Sequence, residues 1–337
     1  MELEQAFAVF KPRIEEELKA IVGDAISDVY PVLREMMAYH MGWEGEGAGA
    51  KAQGKRLRPI LLLLSVVAAG GDWEKALPAA AGVELLHNFS LIHDDVEDNG
   101  DLRHGRPTVW VKWGVPQAIN AGDLMFTISN LAVLGLEQSF SPDVVLKAQK
   151  LFQQTCVKLT QGQYLDMWYE KLDDLPMEEY WEMVSGKTAA LLACCTEMGA
   201  LLGGADSETC EKYHQVGHLL GLAFQAQDDL LGIWGDVEKI GKSTSSDLYT
   251  KKKTLPVIFG LQQKGKFAER WRLGKMALTD VPEMARLLEE EGGREYTEQV
   301  AFDLTKKAEE ALEEVLGGHQ TGRALKQLTE LLIGRQF

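Results

Sequence analysis

The chain has 337 residues, 45% of them hydrophobic and 26% charged, the balance of an ordinary folded chain, which excludes wholesale disorder. Its net charge of -16 is opposite in sign to the basic field that a general nucleic-acid binder needs. An anionic substrate stays admissible, because carboxylates can hold divalent cations that in turn hold phosphate.

The N-terminus, MELEQAFAVFKPRIEEEL, is acidic and amphipathic and lacks the basic-then-apolar order of a secretory signal. Val9, Ile14, Leu18, Ile21, Val22, Ile26, Val29 and Leu33 then recur at mixed three- and four-residue steps, the period of a helix. The stretch GWEGEGAGAKAQGK reads as a flexible loop of low complexity. Further apolar stripes at helical spacing run through 58–69, 76–97, 116–137, 142–170, 178–202, 207–235, 253–264, 281–292 and 295–316. Glycine and proline punctuate the gaps, as at Gly70-Gly71, Gly105 to Pro107, Ser141-Pro142 and Gly203-Gly204. Alternating β-branched stretches are nearly absent. The expectation is an all-α fold, a single domain over 1–337 with a bundle of ten or more helices and no linker between differently composed halves. The most apolar run, Ile60 to Gly71, is short of the ~20 residues that cross a bilayer. The four cysteines, Cys156, Cys194, Cys195 and Cys210, have no zinc-site spacing. A cytoplasmic chain without a transmembrane segment is expected.

The chemistry is concentrated in two acidic clusters. His93-Asp94-Asp95-Val96-Glu97-Asp98 closes an apolar helix, and Asp94 and Asp98 stand one turn apart on one face. Like charges at that spacing repel by a few tenths of a kcal/mol per pair. Such a cluster is either a solvated helix end or a ligand set for Mg²⁺, a hard cation that takes oxygen ligands and keeps substrate phosphates. The second cluster, Phe224-Gln225-Ala226-Gln227-Asp228-Asp229, repeats the device late in another apolar helix, and the pair favours the metal reading. Basic stretches interleave with them: Gly54-Lys55-Arg56-Leu57-Arg58-Pro59, Arg103-His104-Gly105-Arg106, Lys187-Thr188, Lys242, and Lys251-Lys252-Lys253-Thr254. Each alone is ordinary surface charge; the order is that of a metal-held diphosphate whose outer oxygens are neutralised.

In that order the chain resembles the trans-isoprenyl diphosphate synthases, the polyprenyl synthetase family, across roughly 50–260. GKRLRP resembles the family's anion-binding stretch, DDVED its first aspartate-rich motif, GKT its Lys-Thr pair, FQAQDD the start of its second aspartate-rich motif, and GKSTSSDLYTKKKTLP its closing loop. The resemblance implies an isoprenoid-synthase-like bundle around a central apolar cavity, and a homodimer. It also implies condensation of isopentenyl diphosphate with an allylic prenyl diphosphate. By the same resemblance Asp94, Asp98 and Asp228 carry Mg²⁺, three ions in the substrate complex, with Asp95 and Asp229 in support. Arg103, Lys187, Thr188, Gln225, Lys242 and Lys252 serve the allylic diphosphate, and Lys55, Arg58 and His87 serve isopentenyl diphosphate. Lys187, Thr188 and Gln225 also steady the developing cation.

Three positions depart from the family pattern. His104 stands where a second arginine is common, and Gly232 where the second motif has its third aspartate; Ser245 also replaces a usual glycine. The helix leading into Asp94 should set product length, with Phe89 and Ser90, then Leu86, then Gly82 and Val83 as successive layers. One turn rises ~5.4 Å, close to one isoprene unit, and this pattern resembles enzymes making geranylgeranyl diphosphate. His104 and Gly232 keep two other readings open: a terpene cyclase-like or irregular-coupling relative, and a non-catalytic modifying subunit.

Overall fold

The computed structural model describes residues 2–172, 174–235, 246–274, 276–317 and 320–333. The expected all-α class holds. The chain's internal contacts divide it into two compact units, one comprising 1–154, 195–210 and 319–325, the other 155–194, 211–318 and 326–337. The boundaries at Gln154, Cys194 and Cys210 fall inside long helices rather than in linkers.

The first unit opens with α1 (Leu3–Ala25), which buries Ala6, Phe10, Ile14, Leu18 and Val22, a strict four-residue stripe. Val9 and Val29 of the expected stripe are instead exposed. The helix stops at Ala25 where Ile26 turns extended, and Pro31 then starts α2 (Pro31–His40), its missing N–H costing nothing at a first-turn position. After the short α3 (Ala50–Gln53) comes α4 (Leu57–Ala68), buried along Ile60 to Leu64 and at Val66. It is apolar all round because it is covered all round. α5 (Leu77–Glu97) then carries the first acidic cluster at its C-terminus. It lies tightly on α7 (Val115–Leu134), reached through α6 (Val109–Trp113). At Gly122 a Cβ would sit 2.2 Å from His93 Nε2, so glycine leaves the room in which the His93 ring lies against α7. α7 with the turn after it, Val115–Gln138, is long and apolar enough by composition to cross a membrane, and 44% of that window is buried. The expectation drawn from Ile60 to Gly71 had overlooked it.

Two local readings change. The glycine-rich stretch is a built loop. Arg106, 8% exposed, donates to the backbone oxygens of Tyr39 (2.8 Å), Glu44 (2.8 Å) and Glu46 (2.9 Å). Its guanidinium lies 4.0 Å over the Tyr39 ring. A short antiparallel pair also interrupts the helices, β1 (Leu102–Arg103) with β2 (Arg106–Pro107), in register Leu102↔Pro107 and Arg103↔Arg106. Its two turn residues, His104 at φ 53° and Gly105 at φ 76°, are both left-handed, the geometry a two-residue hairpin requires. Histidine tolerates that region better than most side chains.

Along the second unit run the end of α8 (Pro142–Tyr169), α9 (Met177–Val184) and the start of α10 (Ala190–Leu202). Most of α11 (Ser207–Trp234), the short α12 (Ser246–Tyr249) and α13 (Leu255–Gln263) follow. The rest is α14 (Lys266–Arg272), α15 (Val281–Glu290), α16 (Gly293–Leu316) and most of α17 (Arg323–Ile333). One core joins Tyr169, Tyr180, Val184, Ala226, Leu255 and Ile258. Another joins Ile233, Leu248, Val257, Phe267, Trp271, Met284 and Leu288. The charged, motif-free stretch beyond 266 thus supplies apolar partners for the helices that bear the second cluster.

Candidate active site

In the first unit α5 ends in a Schellman arrangement: Gly100 N donates to Asp95 O (2.9 Å), Asn99 N to Val96 O (3.3 Å), and Asn99 is left-handed at φ 52°. Asp98 N donates to Asp94 O (2.8 Å), so these two residues are indeed one turn apart. Their carboxylates, with Glu97, sit at the negative end of a helix dipole. A bound cation would offset that repulsion, and a set of carboxylate oxygens is the donor chemistry that fits Mg²⁺. Asp95 turns the other way. It is 4% exposed and is forked by Arg103, Nη2 to Oδ1 at 2.7 Å and Nε to Oδ1 at 3.0 Å. Burial pushes its carboxyl up while the Arg103 fork pulls it down. Arg103, expected on the allylic diphosphate, is thus engaged with Asp95, and the pair ties the hairpin carrying His104 to α5.

Upstream, Arg58 Nη1 lies 3.1 Å from His87 Nε2. Burial, then the Arg58 charge, holds the His87 imidazole well below its ordinary value, so the neutral ring accepts from the guanidinium. Lys55 is exposed at the start of the same segment. Between Lys55 and Arg58, Arg56 does something the sequence did not announce. At φ 54° it turns inward to Glu15 (2.6 Å) and Glu84 (2.8 Å), and Glu84 also accepts from Asn88 (3.0 Å). This network fixes where Lys55 and Arg58 emerge. Of the expected length-setting residues, Val83 and Leu86 are fully buried. Phe89 and Ser90 are half-buried, and Phe89 rests 5.0 Å from the Phe126 ring of α7 and 5.0 Å from His93.

In the second unit Lys187 and Thr188 lie on a π-turn, Ser185–Ala189, between α9 and α10. Such a bulge inside a helix is frequent at functional sites. Lys187 finds its partner in Asp166 of α8, a residue the motifs did not flag. Gly162 makes the approach feasible, because a Cβ there would stand 2.2 Å from Lys187 N. Gly162→Ala should therefore cost about 1–3 kcal/mol by overpacking and lower turnover by displacing Lys187. Thermal melting beside a rate assay checks this; unchanged melting and rate would refute the close approach.

Thr188 Oγ1 donates to Gln225 Oε1 (2.8 Å), and Gln225 Nε2 donates to Asp229 Oδ1 (2.8 Å). The other Asp229 oxygen accepts from Tyr180 OH (2.6 Å) and Leu255 N (2.7 Å). Burial raises the Asp229 carboxyl to about 7 against three donors that pull it down. Asp229 is therefore a buried organiser, whereas Asp228 beside it is half-buried. Tyr180 was missed by sequence reasoning; the available signal was that a buried carboxyl needs donors from an adjoining helix.

At Gly232, where the third aspartate is usual, a Cβ would stand 2.2 Å from Asp247 Oδ2. The carboxylate of α12 occupies the room that a side chain on α11 would take. Lys252 is held in the same turn by its N–H to Asp247 O (2.9 Å), whereas Lys242 lies outside the described residues. Among the described residues no three His, Cys, Asp or Glu side chains come together closely enough to hold a metal ion. That is compatible with Mg²⁺, which usually takes one or two carboxylates and completes its shell from water and substrate phosphate.

The chain is 37% identical over 295 residues to a geranylgeranyl diphosphate synthase of Mycobacterium tuberculosis, covering 86% of this chain and 83% of that one. It is 40% identical over 276 residues to a (2E,6E)-farnesyl diphosphate synthase of the same organism, covering 79% and 76%. The crystal structure of geranylgeranyl pyrophosphate synthetase from Pyrococcus horikoshii superposes with a TM-score of 0.88 at 33% identity, over 99% of both chains. With residues 48–287 matching the polyprenyl synthetase family, the chain belongs to that family, the trans-isoprenyl diphosphate synthases.

Proposed function

We propose that this prenyltransferase condenses isopentenyl diphosphate head-to-tail with an allylic diphosphate and releases geranylgeranyl diphosphate. The observation that carries the reading is the division of labour within each acidic pair. Asp95 and Asp229 are buried and hydrogen-bonded, while Asp94, Asp98 and Asp228 are left half-buried or exposed, as ligands must be. Asp94, Asp98 and Asp228 would hold Mg²⁺, three ions in the substrate complex, which when bound neutralise charge on the departing diphosphate. Lys187 and Lys252 add positive charge at the same oxygens, Lys187 held in place by Asp166. That stabilisation of charge as it develops on the leaving group is usually the largest catalytic contribution, and as the allylic C–O bond breaks the Thr188 and Gln225 dipoles, fixed on Asp229, steady the positive charge on carbon. Arg58 and His87 hold isopentenyl diphosphate so that its double bond attacks, and the released diphosphate takes the final proton. No side chain acts as nucleophile. The family resemblance assigns Lys242, which lies outside the described residues, and Lys252 to keeping water from the cation.

The test is a product assay with Mg²⁺, isopentenyl diphosphate, and dimethylallyl, geranyl or farnesyl diphosphate in turn. Twenty-carbon prenyl diphosphate is expected. Hydrocarbon or alcohol formed without isopentenyl diphosphate would sink the reading in favour of a cyclase, and no turnover with any primer would leave a modifying subunit. Phe89→Ala should shift the product to longer chains, since it opens one ~5.4 Å layer of the helix. Unchanged product would make Phe89 a packing residue against Phe126 alone.

We further propose a homodimer in the cytoplasm. Val111, Val115, Ile119, Leu131, Leu134 and Leu146 expose between 41% and 70% of their surface on α6, α7 and α8, an apolar set that a second copy would cover. The four cysteines are buried free thiols, in keeping with a reducing compartment. Light scattering of the purified chain should give twice the monomer mass; a monomer would refute the dimer.

A further inference from the structure

His40, the last residue of α2, plays no part in the function described above and in none of the sequence motifs. One ring nitrogen donates to the Asn88 backbone of α5, whereas Nε2 is buried with no hydrogen-bond partner. A buried polar atom without a partner is costly, and this one has no apolar reason to be there. It lines a cleft with Tyr39, Asp95, Arg103, His104 and Arg106. The groups facing it come from every neighbouring element. Arg56 is spent on Glu15 and Glu84, Arg103 on Asp95, and Arg106 on loop carbonyls. His104 comes from the hairpin turn, and His87, paired with Arg58, comes from α5. None of these donors is aimed at Nε2 by a hydrogen bond.

We propose that His40 is a further diphosphate-binding residue on the isopentenyl diphosphate side of the site, engaging a phosphate oxygen through Nε2 as an imidazolium. The proposal rests on the function given above. Both the free Nε2 and a phosphate oxygen offer lone pairs, so contact requires a proton between them. Without the anion, burial and the charges of Arg103 and Arg56 hold the imidazole down at about 3, and the ring is neutral. The arriving diphosphate reverses the local charge, and the proton enters from solvent or with the substrate's own phosphate. The sign follows from linkage: binding raises the proton affinity of His40, so the affinity it confers falls as pH rises through the value in the complex, by up to tenfold per pH unit for one proton.

The experiment is calorimetric titration of isopentenyl diphosphate into the full chain without divalent metal, at pH 6.5 and 8, in buffers of differing ionisation enthalpy. The dependence of the heat on buffer counts protons taken up. His40→Asn should take up fewer protons than the native chain and bind about tenfold more weakly at pH 6.5, with the gap narrowing at pH 8. Equal proton counts and equal affinities would overturn the proposal. A native chain that neither binds nor turns over isopentenyl diphosphate would instead overturn the function on which it rests. Should His40→Asn not fold, a crystal structure of the native chain with a non-reactive isopentenyl thiodiphosphate decides the matter. A phosphate oxygen within about 3.2 Å of Nε2 supports the proposal, and any other neighbour there overturns it.

Discussion

Asp94→Asn should lower kcat about a thousandfold, equivalent to about 4 kcal/mol of transition-state stabilisation, while leaving the melting temperature unchanged or slightly higher. The two effects have one origin. Asp94, Glu97 and Asp98 crowd the C-terminal end of α5, where each carboxylate repels its neighbours and the helix dipole. Removing one charge relieves a few tenths of a kcal/mol of that repulsion, so the fold should tolerate it. The same charge is what would hold a cation against the leaving diphosphate, so its loss falls on the chemical step. Steady-state kinetics with an allylic primer, together with differential scanning calorimetry, measures both. A solvated acidic helix end predicts the opposite: kcat within about twofold of native, as for surface substitutions remote from any site. A drop in stability with unchanged kcat would remove Asp94 from the proposed metal ligands.

The second large effect is on stability. Arg56→Met should cost about 3–5 kcal/mol, because it leaves the Glu15 and Glu84 carboxylates buried without their cation. Arg56 is only 2% exposed at its side chain, Glu84 6% and Glu15 13%, so water cannot replace the lost partner. The asymmetry of buried ion pairs makes the test sharper. Removing one member exposes the full desolvation cost, whereas replacing the pair together is nearly neutral. Arg56→Met combined with Glu84→Gln should therefore recover the part of the loss that falls on Glu84, with Glu15 still unpaired. Urea unfolding of both variants supplies the comparison; a single-variant loss below about 1 kcal/mol would place Arg56 among ordinary surface charges. Lys55 and Arg58 flank this anchor, so the single variant should also raise KM for isopentenyl diphosphate.

The aspartate-rich motifs show where reading the sequence succeeds and where it stops. DDVED and QAQDD announce an acidic site because mutually repelling carboxylates within one helical turn are a local property of the chain. Which member of each pair faces the ligand is not local. Asp95 is buried because a hairpin brings Arg103 across it, and Asp229 because α9 and α13 bring Tyr180 and the Leu255 N–H to it. Gly232 carries the same lesson. As a letter it is a missing carboxylate; in the fold it is the space that Asp247 fills. His104, likewise, stands in sequence where an arginine is usual, while the hairpin shows a backbone position that demands a left-handed residue.

Helical class, the order of acidic and basic motifs, and through them the family were determined by the sequence itself, since periodicity, charge and spacing act between near neighbours along the chain. The tertiary structure decided the rest: the inward turn of Arg56, the Lys187–Asp166 contact across Gly162, the donors to Asp229 and the unpartnered Nε2 of His40. Each depends on distances between segments remote in sequence, which packing sets and no local pattern encodes.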